Sequence, residues 1–177
     1  NQSDGAFVRV LDTPGLEHPR AICLSPDETT LAVATTSSSI KLISVDGSVA
    51  PRTIGGEDGS GDGQFEGLID VRFTPDGQQL VVADRNNNRV QCFAPDGSFV
   101  RKMSVGDDCL AVAVDAAGNI IATTLNSVKV FSPEGRLLHD RLGGLEMDRG
   151  ALSGLAIDPV TGMIAVGDMW AAKVYLL

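Results

Sequence analysis

The chain has 177 residues, of which 43% are hydrophobic, so it can form one domain with a substantial core and is too apolar for wholesale disorder. Its formal net charge of −9 disfavours nucleic acid as the main partner, because a phosphate-binding surface needs clustered Lys and Arg. A basic protein or peptide is the better electrostatic match. No apolar run approaches the roughly 20 residues of a membrane-spanning helix, so no membrane association is expected.

Predicted strands recur in four units along the chain. In chain order they read AICLSPDETTLAVATTSSSIKLI, DVRFTPDGQQLVVADRNNNRVQCF, AVAVDAAGNIIATTLNSVKVF and GLAIDPVTGMIAVGDMWAAKVYLL. The equivalent apolar residues Ile22, Val71, Val112 and Leu155 are 49, 41 and 43 positions apart. Such spacing is typical of repeat architectures, whose periods run from about 20 to 50 residues.

Each unit predicts a strand, a turn rich in Pro, Asp and Gly, a second strand, a polar turn and a third strand. A further turn and strand follow the first three units, in DGSVAPRTI, DGSFVRKM and EGRLLHDRL. The fourth unit has no such strand after it. The segment DGAFVRVLDTPG near the start of the chain closely matches DGSFVRKMSVG and could supply it.

These elements predict an all-β fold, a single propeller of four four-stranded antiparallel blades over residues 1–177. The blades are expected at about 16–55, 65–104, 108–142 and 152–177, with residues 5–12 completing the fourth. We expect residues 7–11 to pair with residues 173–177 and close the ring. Without that pairing, blade edges would be free for self-association.

The second unit resembles the NHL repeat. The resemblance rests on its glycine-rich start, Gln64-Phe65, the Pro75-Asp76-Gly77 turn and the run Ala83-Asp84, Asn87, Arg89-Val90-Gln91 and Phe93. The first unit keeps Pro19-Arg20 and Ser25-Pro26-Asp27, and the last two keep Asp115 and Asp158. NHL propellers usually have six blades, so the chain is either a small ring of four or a whole-blade excerpt of a larger one.

The polar segment 84–89 is interpreted as the turn between the second and third strands of a blade. Asn tolerates left-handed backbone angles, and Asp and Asn side chains bond nearby backbone groups. We therefore expect structural roles for Asp84, Asn87 and Arg89. Turns of this kind share one end of a propeller with the inter-blade connections, and both differ from unit to unit. Variable loops on a repeated scaffold favour this end for binding.

Two candidate binding elements lie at that end. Trp170, with Met169 beside it, is either an aromatic anchor for a partner or a lid over the neighbouring blade. Glu57, Asp58 and Asp62 lie in a glycine-rich connection that imitates the start of a calcium loop. The acid expected at the twelfth place is absent, because Ile69 stands there, and the NHL resemblance explains these residues without metal.

Asp70 and Arg72 lie two apart in the first strand of the second unit, on one face of that strand. Their pairing predicts either an ion pair that fills a narrow channel or a polar group presented to a ligand at the channel mouth. Lyases and lactone hydrolases that use related propellers line the channel with His or several acids. Here Asp70 is the one acid found, so no catalytic residue is assigned.

Three cysteines, Cys23, Cys92 and Cys109, have no short spacing. This argues against a complete disulfide framework and a zinc cluster, and it favours buried thiols in a reducing, cytoplasmic location. We expect no cofactor and no metal. The function expected is a non-enzymatic interaction module, or scaffold, for a protein or basic peptide. The alternatives are a small hydrolase or lyase at the channel mouth and, as in some NHL proteins, an RNA-binding face.

Overall fold

In the computed structural model, which describes residues 9–11, 13, 15–141 and 151–177, the described chain forms fifteen β-strands and no helix. The strands make four antiparallel sheets in chain order. The first sheet contains β1 Pro19–Leu24, β2 Thr30–Thr35, β3 Ser39–Ser44 and β4 Arg52–Gly55, and the second contains β5 Leu68–Phe73, β6 Leu80–Asp84, β7 Arg89–Phe93 and β8 Phe99–Ser104. The third contains β9 Ala111–Val114, β10 Ile120–Thr123, β11 Val128–Phe131 and β12 Leu137–Arg141, and the fourth contains β13 Leu152–Ile157, β14 Ile164–Asp168 and β15 Lys173–Leu176.

The sheets pack face to face in chain order. We call the face that each sheet turns towards the preceding sheet its backward face, and the opposite face its forward face. Alternate residues of a strand point to opposite faces, so an apolar run in a sheet covered on both sides fills two different interfaces. In β6, for example, Leu80 and Val82 pack in the cluster with the first sheet, and Val81 and Ala83 pack in the cluster with the third.

The first strands of successive sheets lie against one another, β1 against β5, β5 against β9 and β9 against β13. Three apolar clusters fill the three interfaces, and Phe65 and Phe93 are the largest fully buried side chains of the first. Repeated units whose first strands gather on one side give a propeller-like arrangement, as the sequence predicts, although the fourth sheet has three strands among the described residues and not the expected four.

The predicted ring closure is not found in the described residues. Of the predicted closing strand, residues 7 and 8 lie outside the described residues, and residues 9–11 form no strand. Instead, the guanidinium of Arg9 donates to the carbonyl oxygen of Val45, and Leu11 lines a cavity on the first sheet together with Ile22 and Val33. This segment therefore lies against the first sheet and not beside β15.

The first and fourth sheets are the two ends of an open row. Within the described chain, β13 and β1 do not pack together as consecutive first strands do. Apolar side chains on both end sheets stay exposed, among them Ile22 on β1 and Val174 on β15. Each interface sets the angle between two neighbouring sheets. The three angles together do not bring the end faces of the first and fourth sheets into contact.

As for membrane spans, the described part of the chain contains no helix long and apolar enough to cross a bilayer.

Candidate functional site at the loop end of the sheets

The two ends of the sheets differ in construction. At one end, which we call the turn end, short turns join first strands to second strands and third strands to fourth. At the other, which we call the loop end, the turns after the second strands meet the connections between sheets. Backbone hydrogen bonds join them there: the N–H of Asn86 donates to Glu66 (3.0 Å), and the N–H of Met169 donates to Ala151 (3.0 Å). The loop end therefore has defined backbone geometry.

The turn after β6 carries a buried polar cluster centred on Asp84. Its Oδ2 accepts hydrogen bonds from Arg89 Nε (2.7 Å), Asn87 Nδ2 (3.0 Å) and Gln91 Nε2 (3.2 Å). Its Oδ1 accepts the backbone N–H of Glu66 (2.8 Å). Asp84, Arg89 and Gln91 are all buried, so the charge of the carboxylate is balanced by a neighbouring guanidinium and amides and not by water.

Arg89 extends this cluster to the connection before the second sheet. Its guanidinium donates to the carbonyl oxygens of Ser60 (2.7 Å), Gly61 (2.9 Å) and Gln64 (2.8 Å). Asn87 donates to the carbonyl of Gly59 (2.8 Å). Side chains of one turn thus fix a connection that lies about 25 to 29 residues earlier in the chain.

The structural interpretation of Asp84, Asn87 and Arg89 agrees with these contacts. Asn88 has a positive φ of 53°, as expected for an Asn in a tight turn. What the sequence did not indicate is the range of the hydrogen bonds, which reach a distant connection as well as neighbouring backbone. We refer to Asp84, Asn87, Arg89 and Gln91 as the loop clamp.

The acidic connection has its carboxylates directed to separate partners. Asp58 accepts a hydrogen bond from the hydroxyl of Ser38, Asp62 pairs with Lys102 (2.7 Å), and Glu57 accepts from Gln64 Nε2 (3.5 Å). Among the described residues, no group of three His, Cys, Asp or Glu side chains is placed to hold a metal ion. This arrangement does not resemble a calcium loop, in which the oxygen ligands converge.

Trp170 and Met169 project from the turn between β14 and β15. Their exposed fractions are 68% and 63%, so Trp170 is not a lid over the neighbouring sheet. The turn beneath them is held by the buried Asp168, whose Oδ1 accepts the N–H groups of Trp170 (2.9 Å) and Ala171 (3.0 Å). An aromatic ring and a thioether therefore stand in solvent on a fixed backbone.

Asp70 and Arg72 form an ion pair, with 3.0 Å between Asp70 Oδ1 and Arg72 Nη1. Asp70 also accepts the N–H of Val112 in β9 (3.1 Å) and that of Val71 (2.9 Å), so it links the second sheet to the third. Burial raises the pKa of Asp70, and the Arg72 guanidinium and the two N–H groups act in the opposite direction. A carboxylate with these partners is poorly placed for acid–base chemistry on a ligand.

The three cysteines are free thiols. Cys92 and Cys109 are buried, and Cys23 is half-buried. Burial raises the pKa of Cys92 to about 11 and also raises that of Cys109. Thiols held protonated in this way are inert at neutral pH, which fits packing and not nucleophilic chemistry.

The structure brings some of the predicted site residues together and separates others. It pairs Asp70 with Arg72 and places Met169 next to Trp170. Glu57, Asp58 and Asp62 lie at the same loop end as Trp170, but they precede the second sheet whereas Trp170 belongs to the fourth, with the third sheet between. A partner that contacts both must therefore span the loops of three sheets. Sequence reasoning named Gln91 only as part of the NHL resemblance and gave it no role, although its place in a strand between Val90 and Cys92 marks it as a buried polar residue.

Comparison with known proteins agrees with this all-β, propeller-like class. A solved structure of hydrazine synthase from Kuenenia stuttgartiensis matches with a TM-score of 0.70 and 14% identity, over 98% of this chain and 53% of that chain. The chain thus spans about half the length of that structure, and at this identity the likeness concerns the fold alone. Residues 65–93 match the NHL repeat, which confirms the resemblance of the second unit and includes the whole loop clamp. No curated protein sequence matches the chain.

Proposed function

We propose that the chain is a non-enzymatic interaction module that binds a protein or peptide at its loop end. The observation that carries this proposal is the exposure of Trp170 and Met169 on a turn fixed by Asp168. Tryptophan is enriched among residues that dominate binding energies, and a preformed turn spares the entropy of ordering a loop on association. The NHL repeat and the propeller-like fold fit a repeat-based interaction module.

The partner suited to this surface is a basic, partly apolar peptide. Trp170 and Met169 offer an aromatic face and a polarisable thioether for an apolar side chain. The exposed acids Glu57, Asp58 and Asp62 at the same end, together with the net charge of −9, attract Lys and Arg. In this arrangement the anchor governs dissociation of the complex, and the acids govern association and its salt dependence.

A channel-mouth enzyme is not favoured by the described residues. The carboxylate that it would use, Asp70, is engaged by Arg72 and by the N–H of Val112. Nothing in this arrangement offers a general base or a nucleophile to a bound molecule.

The proposal is tested by selecting ligands for the 177-residue chain from a display library of random peptides. We expect enrichment of sequences that combine Lys or Arg with apolar residues. Trp170 is the single tryptophan of the chain, so its fluorescence reports the loop end directly. Titration with a selected peptide should shift the emission to shorter wavelength as the indole leaves water. Selection of acidic peptides, or tight binding with unchanged emission, would contradict the proposal.

A further inference from the structure

The three internal interfaces are built from equivalent residues. On the backward faces, the pairs Val71–Val82 and Val112–Ala122 occupy the same register position as Leu155–Val166. On the forward faces, Ile40, Val90 and Val128 occupy one equivalent position at the start of the third strand, and all three are fully buried. In all three interfaces, a forward face of the same type therefore packs against a backward face of the same type.

On the fourth sheet, none of the described residues covers the equivalent forward face. Val174 pairs with Gly167 across β14 and β15, which is the position of Ile40, Val90 and Val128, yet it is 71% exposed. Leu176 is exposed as well, although its equivalents Leu42, Cys92 and Val130 are buried. Ala165 and Gly167 give this face the small residues that let another sheet approach closely.

The first sheet has the matching backward face. Ile22 pairs with Val33, which is the position of Val71–Val82, but Ile22 is 59% exposed and Leu24 is exposed beside it. The segment that contains Leu11 and Leu16 covers only part of this face and leaves a cavity of about 320 Å³ over Ile22, Leu31, Val33 and Ile43. Neighbouring apolar side chains whose equivalents are buried elsewhere thus remain exposed at each end of the row.

We propose that these two faces dock on each other between two copies of the chain, head to tail. Each copy carries both halves of an interface that the fold already forms three times, and the described structure does not bring the two halves together within one copy. Two such contacts related by a twofold axis close a ring of eight sheets, which lies within the range of about four to eight blades known for propellers. Docking of the fourth sheet competes with Leu11 and Leu16 for the backward face.

Sedimentation velocity of the 177-residue chain, from about 1 to 100 µM, tests this inference through the concentration dependence of the mass. We expect a reversible species of twice the chain mass and no larger species. Val174→Lys alters the forward face and Ile22→Lys the backward face, and each should weaken the dimer by about tenfold or more, because a charge would enter an apolar interface. Val160→Lys is the matched control, since Val160 is exposed in the turn before β14 and lies on neither face.

A mixture of the Val174→Lys and Ile22→Lys chains separates this geometry from other dimers. Each variant keeps the face that the other has lost, so the mixture should form a one-to-one dimer through one intact interface. Each variant alone has no intact interface and should associate at least about tenfold more weakly than the unmodified chain. A monomeric unmodified chain at about 100 µM, the highest concentration of the series, would overturn the inference. So would unlimited growth, a dimer insensitive to Ile22→Lys, or a mixture that fails to associate.

Discussion

Arg85 and Arg89 belong to the same polar turn but differ in what surrounds them. Arg89 is buried and joins Asp84 to three carbonyl oxygens of the distant connection. Arg85 pairs with Asp108 at 2.8 Å, with its side chain 44% exposed. Removing one partner of a buried ion pair leaves an uncompensated charge, whereas an exposed pair is screened by water. The two residues therefore give a matched comparison within one turn.

We expect Arg89→Ala to lower the free energy of unfolding by about 3–5 kcal/mol, and Arg85→Ala by less than about 1 kcal/mol. Urea denaturation followed by circular dichroism measures both. The Arg89 variant should also release the connection 57–66, so that a protease specific for acidic residues cleaves it faster. Equal stabilities of the two variants would show that the loop clamp does not hold this connection.

Much of this residue-scale picture could be predicted from the sequence. The sequence predicts a turn over 84–89 because an Asn-rich stretch between β-branched runs is typical of turns, and the left-handed backbone of Asn88 fits that prediction. The partners of Arg89 could not be predicted. A guanidinium that bonds carbonyl oxygens 25 to 29 residues away leaves no local signal, and because the acceptors are backbone atoms, no side chain of the connection indicates the contact.

At the scale of elements, the turn end uses one arrangement repeatedly. In the turn after β5, Asp76 accepts the hydroxyl of Thr74 (2.6 Å) and the N–H of Gln78 (3.0 Å). The hydrogen bond from Thr74 is the largest cause that lowers the pKa of Asp76, followed by that from Gln78. Hydrogen bonds of the same kind lower the pKa values of Asp27, Asp46, Asp96 and Asp158.

These turns predict a loss of stability in acid. Each aspartate has a lower pKa in the folded chain than its usual value of 3.8, so its contribution is complete above that value and is lost as the pH falls through the folded pKa. We expect the melting temperature to fall steeply below about pH 4, which is close to the usual pKa of an aspartate. Asp76→Asn keeps an acceptor for Gln78 but removes the charge. The melting temperature of this variant should lie furthest below that of the unmodified chain at about pH 7. The difference should be smaller at about pH 3, roughly one unit below the usual pKa of an aspartate. A deficit that grows in acid would contradict this assignment.

The acidic connection gives a second prediction at this scale. Because Glu57, Asp58 and Asp62 have separate partners, calcium at about millimolar concentration should leave the melting temperature unchanged within error. Magnesium serves as the control for nonspecific charge screening. A bound ligand in large excess raises the melting temperature by several degrees. A calcium-specific rise of this size that Asp58→Asn abolishes would show that the connection rearranges into a metal site.

For the whole molecule, the repeat predicted the number of sheets and the order of their strands but not how the row ends. Ile22, Val71, Val112 and Leu155 are equivalent in sequence, and the pattern of alternating apolar residues is the same whether a given face is covered or open. Closure depends on the sum of the angles between sheets and on where residues 9–11 lie. The contacts of Arg9 and Leu11 with the first sheet decide this, and they follow from no periodic feature.

The central claim is that the loop end, and not the turn end, binds the partner through Trp170. The most direct measurement is the affinity of one library-selected peptide for three variants, by isothermal titration calorimetry. Trp170→Ala should cost about 2 kcal/mol, roughly thirtyfold in Kd, because it removes an anchor that becomes buried when the peptide binds. Asp58→Asn should cost less than about 1 kcal/mol and flatten the salt dependence, and Asp76→Asn at the turn end should leave Kd unchanged. An unaltered affinity in Trp170→Ala, with a loss in Asp76→Asn, would contradict the claim and place the binding surface at the turn end.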